Sequence, residues 1–110
     1  MGLDNMWKMP GSNEPGYVDG DFTICGGLYS DNGNDSFRGK VYNDVFKDAT
    51  QTSLYDDLTA DQVRDLLPKL EAYCFRPRNS QYGVTVAEWN AFVRMWKAHA
   101  EAGHWLWAFY

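Results

Sequence analysis

Between Thr85 and Gly103 the chain carries both a start and a stop for one long helix, and this pair of signals constrains the fold most. Thr85-Val86-Ala87-Glu88 has the form of a capping box, in which hydroxyl and carboxylate satisfy each other's orphan backbone amides, and Val84 with Trp89 forms a hydrophobic staple around it. Trp89, Phe92, Val93 and Trp96 follow at i, i+3, i+4 and i+7, a single apolar stripe, and Gly103 is suited to the left-handed stop. A helix that ends there leaves His104 to Tyr110 as a short aromatic run, read as a buried strand that pairs with Leu3–Met9.

Two further helices precede this one. Thr59-Ala60-Asp61-Gln62 is a second capping box, with Leu58 and Val63 as its staple and Leu66, Leu67, Leu70 and Tyr73 continuing the stripe. Pro68 falls inside that stripe and is expected to kink or split the helix, because proline has no N–H for the preceding turn. Arg76 to Ser80 ends the segment. Earlier, Ser36 reads as an N-cap followed by Phe37, Val41, Tyr42, Val45, Phe46 and Ala49 at helical spacing. Gly39 in its first turn is expected to weaken this helix by about 1 kcal/mol relative to alanine.

The first third of the chain is different. Eight of the ten glycines lie within residues 1–39. Leu3–Met9 and Phe22–Cys25 read as strands, separated by Pro10-Gly11 and Pro15-Gly16 turns; Gly26-Gly27 ends the second, and residues 31–35 read as a polar loop. The expectation is one α+β domain over residues 1–110, with three helices packed on a small, mainly antiparallel sheet formed by the N-terminal and C-terminal strands. Within it, residues 1–35 are loop-rich, 36–103 helical, and 104–110 the last strand.

The formal net charge of −5 is concentrated in the first third: residues 1–35 hold six acids and one base, whereas residues 71–110 hold three acids and four bases. That balance excludes a broad nucleic-acid surface but not a small anionic ligand. Two cysteines make no disulfide framework, and neither a signal peptide nor an apolar membrane-length run is evident, so a cytoplasmic setting with Cys25 and Cys74 reduced is expected.

Catalytic chemistry finds little support. The only histidines, His99 and His104, flank the Gly103 stop and are expected to be partly exposed, with the two thiols buried among apolar neighbours. No spacing brings a cysteine to a histidine. Metal-ligand spacings are absent too; Asp31 to Asp35 alternates oxygen ligands but lacks the glycine and the glutamate of a calcium loop, and reads as a solvated turn. No cofactor and no metal is expected. Asp44, Asp48, Asp56, Asp57, Asp61 and Asp65 could line an acidic face that imitates DNA phosphates, with Lys47 and Arg64 interrupting it; solvated helix faces are the plainer reading.

Ser36-Phe37-Arg38-Gly39-Lys40-Val41-Tyr42 is the most suggestive stretch. A helix start offers free N–H groups to an anion, Arg38 and Lys40 add charge, and Gly39 removes an obstacle; the alternative is that Arg38 and Lys40 solubilise an exposed face. Aromatic rings could stack on a base. Trp89, Phe92 and Trp96 belong to the helix stripe, which leaves Trp7, Tyr29, Tyr42, Tyr55 and Tyr82 to face a ligand or partner.

The stretches Gly2 to Trp7, Cys25 to Ser30, Ser36 to Tyr42 and Ala102 to Trp107 resemble those of small uncharacterised phage and bacterial proteins. That resemblance implies an accessory role, including counter-defence by sequestering a nucleotide-like anionic signal without chemistry. In this reading Ser36, Arg38, Gly39 and Lys40 hold phosphate while Trp7 or Tyr42 stacks on the base, and a homo-oligomer with ligands at its subunit boundaries is expected. The alternative is a protein–protein inhibitor or adaptor of a host protein acting through an exposed aromatic patch. A small enzyme comes third.

Overall fold

The computed structural model describes residues 2–25 and 32–110; Gly26, Gly27, Tyr29 and Asp31 lie outside them. In chain order the elements are strand β1 (Asp4–Lys8), strand β2 (Ser36–Phe37), helix α1 (Gly39–Thr50), helix α2 (Ala60–Ala72), a 3-10 turn (Pro77–Asn79), helix α3 (Val86–Ala102) and strand β3 (Trp105–Phe109). The sheet is antiparallel with order β2-β1-β3, so N-terminal and C-terminal strands pair as the aromatic run demands, with Met6 opposite Trp107 and Trp7 opposite Leu106. This is the expected α+β arrangement of three helices and a small sheet.

Strand alternation sorts the faces. Leu3, Trp7 and Leu106 point into the core, where they meet Phe46, Phe92 and Trp96 from the helices. Trp105, Trp107 and Phe109 stand on the other face, and the Lys8 ammonium sits over Trp107 at 5.1 Å and donates to the Asn13 carbonyl at 2.7 Å. The outer edge of β3 is closed by reciprocal backbone bonds between Leu58 and Leu106 and by Asp57, which accepts from the Ala108 amide at 2.8 Å. Such capping removes a template for strand addition.

The helix grammar is largely realised. Thr59 and Gln62 form the complete box, and Gly103 ends α3 at φ 77°. Pro68 does not split α2: it lies on the exposed face, where the carbonyl it leaves without a partner can be hydrated. The box at Thr85 is only half made. Thr85 accepts from the Glu88 amide, but the Glu88 carboxylate accepts instead from the Tyr42 hydroxyl at 2.6 Å.

The N-terminal third departs from expectation in three places. Ser36 is not an N-cap: its backbone pairs with Met6 and its hydroxyl bonds Asp35, so α1 begins at Gly39 behind an extended Arg38. Phe22–Cys25 is not a ladder strand; Phe22 and Ile24 face the core, but Thr23 adopts φ 54°, which interrupts extended geometry. Finally, Gly33 and Asn34 are buried rather than a solvated turn, because the Asn34 amide donates to the carbonyls of Val18 and Gly20, both at 2.8 Å.

Candidate functional site

Helix α1 turns Tyr42, Val45 and Phe46 inward, so its outer face carries Lys40, Asn43, Asp44 and Lys47 at i, i+3, i+4 and i+7. The two middle side chains organise what lies beside the helix. Asn43 Oδ1 accepts from the Leu54 amide at 2.7 Å and so holds the loop that presents Tyr55. Asp44 Oδ2 accepts from the Gln81 amide at 2.7 Å and holds the loop that presents Tyr82. Further bonds stiffen both loops: the Tyr55 amide donates to Ser53 Oγ at 3.1 Å, and the Val84 amide to Ser80 Oγ at 3.0 Å.

The result is a groove of about 220 Å³ lined by Lys40, Asn43, Asp44, Lys47, Tyr55, Gln81 and Tyr82. Tyr55 and Tyr82 are 40% and 45% exposed. The aromatic strip continues past the groove, because Tyr55 packs edge-on against Tyr110, 69% exposed, with ring centroids 5.0 Å apart. Among the described residues, neither Lys40 nor Lys47 enters an ion pair. With Asp44 engaged by backbone amides, two ammonium groups face one hydrogen-bonded carboxylate.

The residues expected to form an anion site are divided by the fold. Ser36 and Gly39 are buried; Arg38 lies on the β1 side, 4.0 Å from Asp4; only Lys40 reaches the groove. The helix start is also occupied, since the Arg38 amide donates to the Cys25 carbonyl and the Lys40 amide to the Leu3 carbonyl. Gly39 serves another end. A Cβ there would stand 1.7 Å from Asn5 Oδ1, so the glycine admits a buried asparagine, not a ligand.

Trp7 and Tyr42 present no face to a base, because both are fully buried. Trp7 stacks on His99 at 4.1 Å and meets Trp96 edge-on. Tyr42 packs against Phe37 and Phe92, donates to Glu88 and accepts from the Cys25 amide at 2.6 Å. Burial, with the Glu88 bond, raises its hydroxyl pKa well above the ordinary range.

The titratable pairs are also the reverse of expectation: both cysteines are exposed and both histidines buried. His99 continues the α3 stripe, seven residues after Phe92. Its Nε2 lies 2.8 Å from the Gly33 carbonyl, which can only accept, so neutral His99 carries its proton on Nε2. His99 Nδ1 then accepts across 2.8 Å from Nδ1–H of His104. Burial pushes His99 down to about 3 and lowers His104 as well. The pair ties α3 and β3 to residue 33 as a neutral structural link.

The acidic row is dispersed. Asp44 and Asp57 accept from backbone amides, Asp48 from the Tyr73 hydroxyl, and Asp61 and Asp65 pair with Arg64. No cluster of three or more metal-ligating side chains occurs among the described residues, and no described helix is long and apolar enough to cross a membrane. Lys47, Asn43 and Gln81 were missed by sequence reasoning, although the polar stripe opposite Tyr42, Val45 and Phe46 could have found the first two. No protein-family model, curated protein or solved structure matches the chain.

Proposed function

We propose that this chain is a non-catalytic interaction module that binds a partner protein through the strip formed by Tyr82, Tyr55 and Tyr110. The observation that carries this reading is that two exposed tyrosines, Tyr55 and Tyr82, on loops held by side chains of α1, line one groove with Lys40 and Lys47, and that Tyr55 packs against the exposed Tyr110. Tyrosine supplies a large, rigid contact at small entropy cost and is enriched among the residues that dominate binding energy. An inhibitor or adaptor of a host protein, the role suited to a phage-encoded accessory protein, would use such a surface. The test places a photo-crosslinking phenylalanine analogue at Tyr82, at Tyr110 and at Arg64, which is exposed elsewhere on α2. One protein captured from both tyrosine positions and not from Arg64, with capture lost in Tyr55→Ala, is expected; equal capture from all three refutes the reading.

A second reading, capture of a nucleotide-like anion, is favoured by one observation: Lys40 and Lys47 share the groove with two exposed rings. Titration calorimetry with cyclic dinucleotides and cyclic ADP-ribose isomers tests it. Binding that survives Arg38→Ala and disappears in Lys40→Gln would support the groove over the helix start.

A further inference from the structure

We infer that the groove takes an acidic, extended segment of the partner, with two carboxylates seated on Lys40 and Lys47. This rests on the reading of the tyrosine strip as a protein-binding surface. Seven residues of helix separate the two lysines by about 10 Å along one face, so their ammonium groups serve two anions better than one. In an extended chain, side chains two and four residues apart point the same way and lie about 7 and 13 Å apart. Flexible lysine stems bridge either spacing. The groove's own polar groups agree, because Asn43 Oδ1 and both Asp44 oxygens are already hydrogen-bonded inside the protein. The charges left to meet an incoming chain are two ammonium groups against the one Asp44 carboxylate, with Gln81 and the tyrosine rings beside them. Those rings would cover the methylene stems of the acidic residues.

Continuity with the exposed Tyr55–Tyr110 contact gives the segment a path beyond the cavity, which a single small anion would not use. Charge reversal of the occupant should therefore abolish binding, whereas neutralising it should weaken binding steeply.

The probe is the capped peptide Glu-Ala-Glu-Ala-Glu, titrated into the labelled full chain and followed by amide shifts. Glutamine and lysine versions and inorganic phosphate form the other arms. Saturable shifts at Lys40, Lys47, Tyr55, Gln81 and Tyr82, weakened at least tenfold in the Lys40→Gln/Lys47→Gln double variant, are expected. Equal binding of the glutamine peptide overturns the acidic preference and leaves the interaction surface standing. Phosphate shifting the same amides at lower concentration than the peptide assigns the groove to small anions and overturns the inference. Silence from every probe overturns the inference, while the surface itself stands or falls on the crosslinking test.

Discussion

Replacing Gly39 by alanine in the first turn of α1 should destabilise the protein, although helix propensity alone favours alanine by about 1 kcal/mol. The new Cβ would lie 1.7 Å from Asn5 Oδ1 and 3.0 Å from Leu3 Cδ2. Asn5 is fully buried, and its amide donates to the Leu54 carbonyl at 2.9 Å. Moving Asn5 aside costs roughly 1–3 kcal/mol for overpacking. Breaking its bond adds about 1–3 kcal/mol, since the Leu54 carbonyl then loses that donor. After the propensity gain, the net loss centres on about 3 kcal/mol, or roughly 12 °C in Tm at about 4 °C per kcal/mol for a domain of this size. Urea unfolding followed by tryptophan fluorescence measures it, and Asn5→Ala supplies the control. If contact with Asn5 is the cause, Gly39→Ala should be neutral or stabilising once Asn5 has been truncated, a coupling well above the few tenths expected of independent sites. A raised midpoint in Gly39→Ala, or an equal loss in both backgrounds, refutes the reasoning.

Stability should also fall in mild acid. His99 stays neutral in the folded state until the pH approaches about 3, whereas the unfolded chain binds a proton below 6.5, so its contribution is intact above pH 6.5 and is lost as the pH falls. Between pH 7.5 and 5.0 that loss is about 2 kcal/mol, with His104 acting in the same direction, and His99→Gln should flatten the denaturant-midpoint profile. Both thiols should react with a disulfide reagent in the native protein, giving two equivalents without denaturant; slow reaction of either contradicts their exposure. Thr59→Ala should cost about 1 kcal/mol in a urea melt through loss of the complete capping box. Glu88→Ala should cost more than an ordinary first-turn change, because the buried Tyr42 hydroxyl loses its acceptor; Tyr42→Phe should then remove most of the difference.

The helices and the closing strand pair were legible because their causes are local. Threonine boxes, apolar stripes and Gly103 act within a turn or two, and a short aromatic run after a helix stop leaves few partners but the other terminal strand. The start of α1 was not legible, because Ser36 had two local options and its pairing with Met6, thirty residues away in sequence, decided between them. Chemistry was less readable still. Tyr55 and Tyr82 were among the aromatic residues left outside the helix stripes. Only tertiary structure could bury Trp7 against His99, turn Arg38 toward Asp4, and bring Tyr55 and Tyr82 to the lysine-bearing face of α1. Local sequence thus determined which segments form helices and which face of each is apolar. Which polar residues meet across those segments was decided by long-range packing, since Asn43 and Asp44 can place the two tyrosines only after distant loops have come to α1.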